Sequence, residues 1–172
     1  MINSVNAETE KLDVIGRLVS GRQVRIVALA MGAEGIPRSV EERLTACESI
    51  VNHLTRFNIR EEQIYFDPLV LPVSVDSGQV LITLKTIEQI KTRYPQSKTV
   101  IGLSNISYGL PCRKLINQAF LVMAIHAELH AAILDPLDVR TMSLIKAADV
   151  LTEKDAQCRW YTRAYRKGAL VA

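Results

Sequence analysis

The chain is poor in the residues that announce most specialised classes of protein. It has 172 residues but only 3 cysteines, Cys47, Cys112 and Cys158, an odd number with no paired spacing. That pattern fits a reduced, cytoplasmic protein better than a disulfide framework or a zinc site. Glycine is scarce, at 8 residues, and no strand-like run leads into a glycine-rich phosphate loop. The longest uninterrupted apolar run, Ala119 to Ile125, is far short of the ~20 residues a membrane span needs, and no leader-type stretch precedes it. A large excess of charge of one sign is missing as well. The formal net charge is +3, with the excess concentrated late in the chain in Arg159, Arg163, Arg166 and Lys167, so no nucleic-acid partner is expected.

What remains is an ordinary globular composition, 48% hydrophobic and 23% charged, with a regular alternation written into it. Apolar runs at Met1–Val5, Val24–Met31, Ile64–Phe66, Thr99–Ile101 and Ala131–Leu134 read as strands. Between them lie segments of helical periodicity. Glu8–Ser20 carries Leu12, Ile15 and Val19 and stops at Gly21. Ser39 and Glu42 form a capping box that opens a long helix with Val40, Leu44, Cys47, Ile50, Val51 and Leu54 on one face. Gly78–Tyr94, Pro111–Glu128, Asp138–Leu151 and a polar, basic Thr152–Lys167 complete the set.

About five βα units without a hairpin signal predict an all-parallel sheet. Parallel sheets hold ligands at the carboxyl ends of their strands. Asn3, Glu34, Asp67, Asn105 and Asp135 each fall at or just past such an end. Asp135 stands before a proline, where aspartate commonly starts a turn. Asp67 and Asn105 interrupt apolar stretches that continue beyond them, which favours a ligand role. His126 and His130 have a superficially metal-like spacing, yet the helix should end between them, and no metal site is expected. A doubly wound sheet remains open from pattern alone.

Several blocks carry a family resemblance: Phe66-Asp-Pro-Leu-Val-Leu-Pro72, then Val100-Ile-Gly-Leu-Ser-Asn-Ile-Ser107 with Gly109-Leu-Pro111, Arg113, Asn117 and Phe120-Leu121. Ile2-Asn-Ser4 with Ala7-Glu8, and Glu34-Gly-Ile-Pro37, add to it in the same order. Together they resemble the pterin-binding methyltransferase family. It includes the methyltetrahydrofolate:corrinoid/iron-sulfur protein methyltransferases and the folate module of cobalamin-dependent methionine synthase.

The resemblance implies an α/β fold of the TIM (β/α)8-barrel type, of which residues 1–172 would form a single domain corresponding to strands 4 to 8, with 152–172 as a polar basic tail. Such a barrel takes ~250 residues. The first three βα units would have to come from a missing N-terminal half-barrel or from a second copy in a homo-oligomer. The implied activity is transfer of the N5 methyl of methyltetrahydrofolate to the cobalt of a corrinoid (cobalamin) carried by a partner protein. The alternative is a non-catalytic remnant or half-barrel that needs a partner to bind pterin. The implied catalytic residue is Asn105, with Asn3, Asp67, Gly102, Ser104, Arg113 and Ile133 binding substrate. Arg113 reads equally as a solvated first-turn residue. Two departures stand out: Gly32-Ala33 in place of a usual acidic residue before Glu34, and Glu128 and His130 in place of a usual Gly and Asp.

Overall fold

In a computed structural model that describes residues 1–171, the five strands form one parallel sheet in sequential order. The strands are β1 (Ile2–Val5), β2 (Ile26–Leu29), β3 (Ile64–Asp67), β4 (Lys98–Gly102) and β5 (Ala131–Ile133). The helices are α1 (Thr9–Val19), α2 (Val40–Thr55), α3 (Gln79–Arg93), α4 (Arg113–His126), α5 (Val139–Leu151) and α6 (Arg159–Arg166). A doubly wound sheet would reverse its strand order and carry helices on both faces. Here neither occurs. Register pairs Ile26 with Ile64 and Ala28 with Phe66, and these residues pack with Leu12, Leu44, Cys47, Ile50 and Ile90 from α1, α2 and α3. Farther along the same face, Ile101 and Ala132 pack with Ile87 of α3, Phe120 and Leu121 of α4 and Ala148 of α5. Every strand thus shows its helix-facing residues to one side, as part of an eightfold barrel does.

The opposite, inner face is thinly furnished. Val27, Tyr65 and Val100 form a small buried cluster with Ala131 beside it, and the Arg25 guanidinium and the Lys98 ammonium lie 5.8 and 5.7 Å from the Tyr65 ring centre. These close the amino-terminal end of the inner face. At the other end, Ile133 is 58% exposed.

Helix ends follow local chemistry. The Ser39–Glu42 capping box forms at the start of α2 as expected. At Gly16 any side chain would collide with the Phe57 ring, so α1 needs glycine to sit against the turn after α2. The N-terminus of α4 is later than Pro111 because Cys112 adopts a left-handed backbone with φ of 49°. The expected Thr152–Lys167 helix is shorter for the same reason: Glu153 has φ of 60°, and the Asp155 carboxylate accepts from the Trp160 and Tyr161 N–H groups, so regular helix begins only at Arg159. Likewise β2 is shorter than Val24–Met31, since Val24 and Met31 engage in local turn hydrogen bonds instead of the ladder. Among the described residues no helix is long and apolar enough to cross a membrane.

Candidate functional site

Asp67 is the last residue of β3 and, in phase with Tyr65, faces inward. The backbone turns at once. Leu69 takes φ of 68° and its N–H donates to Asp67 Oδ1 at 2.9 Å. This clasps one carboxylate oxygen, while Oδ2 has no partner among the described residues. Asp67 is half-buried, and its burial pushes the carboxyl above the ordinary value, opposed by the Leu69 N–H and by the Arg43 guanidinium. Oδ1 is thus engaged by the backbone turn, while Oδ2 is left open to a further donor.

On the neighbouring strand, β4 ends at Gly102 and the chain closes into a 3-10 turn, Leu103–Ser107, that presents Asn105 to solvent. The Asn105 amide nitrogen lies 3.6 Å from where a Gly102 side chain would begin. It therefore hangs over the inner face at the mouth. Its amide has no hydrogen bond to another described side chain. Ile133 pairs with Gly102 in register and supplies an apolar wall next to the bare glycine.

Arg113 turns back onto this loop. Its Nη2 donates to the Ser104 carbonyl at 2.6 Å and its Nε to Ser107 Oγ at 3.1 Å. It braces the turn that carries Asn105. Ser104 itself is exposed beside it. Asn3 also faces inward, but register places it opposite Val27 and hence in the Tyr65 layer, one pleat below Asp67 and two strands away. The structure therefore gathers Asp67, Gly102, Ser104, Asn105 and Ile133 at the mouth and leaves Asn3 on the floor. Glu34 lies in the exposed loop after β2. Asp135 accepts from the Leu137 N–H at 2.9 Å, the turn role expected of it.

A cavity of about 380 Å³ opens beside the mouth, lined by Ser104, Asn117, Ile133 and Asp138 among others. A larger one of about 530 Å³ lies along the free edge of β5 and contains none of the mouth residues. The two histidines do not share a helix. Helix α4 ends at His126, and His130 Nδ1 is within 3.1 Å of Thr99 Oγ1. Burial and the nearby Lys91, Lys98 and Lys154 hold the His130 imidazole below its usual pKa. Two side chains went unforeseen in the sequence: Tyr65, the floor, and Arg43, buried beneath Asp67. For Arg43 a signal existed. It stands in the apolar stripe of α2, three residues after Val40 and four before Cys47, where charge is out of place.

Fold and mouth together define a ligand-binding protein of the β/α-barrel class, its polar groups collected at the carboxyl ends of singly wound strands. Comparison with known proteins narrows this class. A family model described as pterin binding enzyme matches residues 1–135, and the chain belongs to that family. It is 34% identical over 172 residues to a methylcorrinoid:tetrahydrofolate methyltransferase of Eubacterium limosum, covering 99% of this chain and 64% of that protein. It is 29% identical over 156 residues to a methionine synthase of Mycobacterium tuberculosis, covering 84% of this chain and 13% of that protein. The chain thus spans just under two thirds of the length of the first relative.

Proposed function

We propose that this chain binds a folate-type reduced pterin at the inner-face mouth and supports methyl transfer between the pterin N5 and the cobalt of a corrinoid (cobalamin) carried by a separate protein. The observation that carries this reading is the pairing, on adjacent strands, of a carboxylate with one free oxygen and an unpartnered amide poised over a bare glycine. A pterin presents a ring N–H and an amino group side by side. Asp67, anchored through Oδ1, accepts from that edge. Gly102 and Ser104 leave room for the flat ring, Ile133 packs on its face, and Arg113 holds the turn. Asn3, lower on the inner face, would reach the ring's deeper edge.

For transfer from methyltetrahydrofolate, the N5–CH3 bond breaks as the reduced cobalt donates its electron pair to the methyl carbon. Charge then grows on N5, which takes up a proton from water as tetrahydrofolate leaves. An amide donor contributes modestly to a neutral amine but strongly to a nitrogen gaining negative charge, which is the differential stabilisation that lowers a barrier. Asn105 is the donor in this scheme. The name of the Eubacterium limosum relative places the methyl group on the corrinoid and the acceptor role on tetrahydrofolate. A single site serves both directions, because the reverse reaction passes through the same transition state, so the supply of methylated partner sets the direction in use.

One observation favours a second reading, pterin binding without turnover by the chain alone: the inner face is open, with Ile133 58% exposed and both β1 and β5 free along one edge. The two are separated by following methyl exchange between methyltetrahydrofolate and free cob(I)alamin by the change in corrinoid absorbance. Acceleration over the protein-free rate supports an enzyme. Saturable folate binding without acceleration supports the half-barrel that needs a partner.

A further inference from the structure

The largest fully buried side chain among the described residues is a cation. Arg43, in the first turn of α2, has 0% exposure, and no carboxylate lies within ion-pairing distance of it among the described residues. A buried charge without a counterion is costly and persists only where its hydrogen bonds are well made. Those bonds are specific. Nη1 donates to the Pro68 carbonyl at 2.7 Å, to the Leu69 carbonyl at 3.2 Å and to Thr83 Oγ1 at 3.1 Å, and Nη2 donates to Gln79 Oε1 at 2.8 Å. Thr83 in turn donates to the Leu69 carbonyl, and Gln79 to Asp76. Only Nε is unsatisfied.

The Pro68 carbonyl and the Leu69 N–H belong to one peptide unit. Its oxygen accepts from Arg43, and its N–H donates to Asp67 Oδ1. A cation on the oxygen side polarises that peptide and strengthens its N–H as a donor. The same contacts hold Leu69 in a left-handed backbone that a leucine does not adopt unaided. We infer that Arg43 is a positioning residue for Asp67: through the Pro68–Leu69 peptide it fixes the carboxylate's orientation and keeps Oδ2 turned to the mouth.

The charged groups involved are few. Arg43 is the charged side chain that bears on Asp67, and Arg43 itself feels Asp67 and Glu42, each favouring its charged form against burial. The Leu69 N–H is the larger influence opposing protonation of Asp67 and the Arg43 charge the smaller, and loss of Arg43 removes the charge and loosens the peptide that carries the N–H. This inference rests on Asp67 as the pterin acceptor, but its test does not need the ligand.

The test is a carbon-detected NMR titration of the Asp67 carboxyl, assigned by its absence in Asp67→Asn, in the wild type and in Arg43→Gln and Arg43→Lys. In Arg43→Gln the midpoint moves to higher pH by about one pH unit or more. Arg43→Lys, which keeps the charge but cannot hold both Pro68 and Gln79, moves it less in the same direction. Affinity for methyltetrahydrofolate then falls off at correspondingly higher pH in each variant. If Arg43→Gln does not fold, Arg43→Lys alone decides. An Asp67 midpoint unchanged in the folded variants overturns the inference. A wild type that titrates as described but binds no folate overturns the pterin reading and leaves the positioning role standing.

Discussion

The two faces of the sheet are built to opposite rules. The outer face is dry and filled to contact: Ile26, Ala28, Ile64, Phe66 and Ile101 are each 0 or 1% exposed beneath the helices. The inner face has a small closed floor around Tyr65 and, above it, a mouth of polar or missing side chains. Stability is concentrated on one face, and the proposed ligand site lies on the other. The contrast teaches that Asp67 and Asn105 are not leftovers of packing, since packing has been completed elsewhere.

Substitutions on the two faces should therefore separate stability from activity. The largest effect is expected on the outer face. Phe66→Ala removes a fully buried ring that packs on Tyr94 and costs about 3–5 kcal/mol, enough to unfold a marginal domain. Chemical denaturation monitored by circular dichroism measures it. At the mouth, Asn105→Ala should lower the methyl-exchange rate with cob(I)alamin by about a hundredfold or more while leaving the denaturation midpoint in place. A matching loss of stability would dissolve the division between the faces.

Asp67→Asn sharpens the comparison by a sign. Burial raises the Asp67 pKa, so the folded chain holds this proton more tightly than the unfolded chain, whose midpoint lies near ~4. The ionised side chain consequently subtracts stability once pH has risen through the window between the two midpoints, and below that window the cost is absent. Calorimetric melting from pH 4 to 8 should show Asp67→Asn no less stable than the wild type at neutral pH, with the difference fading in acid. The smallest effect lies away from the mouth. Glu128 adopts φ of 67°, and Glu128→Gly should stabilise by up to about 1 kcal/mol with folate affinity unchanged.

Glu128 also illustrates what a sequence makes legible. Its departure from the family's usual glycine is visible by comparison of residue types, but the left-handed backbone that explains the preference appears only in the structure. The strand and helix alternation was readable because apolar runs and helical periodicity are local signals. Helix starts were not, where Cys112 and Glu153 take left-handed conformations that their residue types do not favour. Asp67 and Asn105 could be picked out as polar residues interrupting apolar stretches. The bracing role of Arg113 and the burial of Arg43 depend on which loop folds back upon which helix, a non-local outcome. Asn3, expected at the carboxyl end of its strand, is instead the second residue of β1, and its depth depends on a register that shifts between Asn3 and Val5.

The measurement that bears most directly on the central claim is a calorimetric titration of methyltetrahydrofolate into the folded chain, with Asp67→Asn beside it. The account predicts saturable binding at one site, weakened tenfold or more by the substitution, since a charged hydrogen bond contributes ~1.5–3 kcal/mol. Binding of equal strength in both proteins, or none in either, would contradict it.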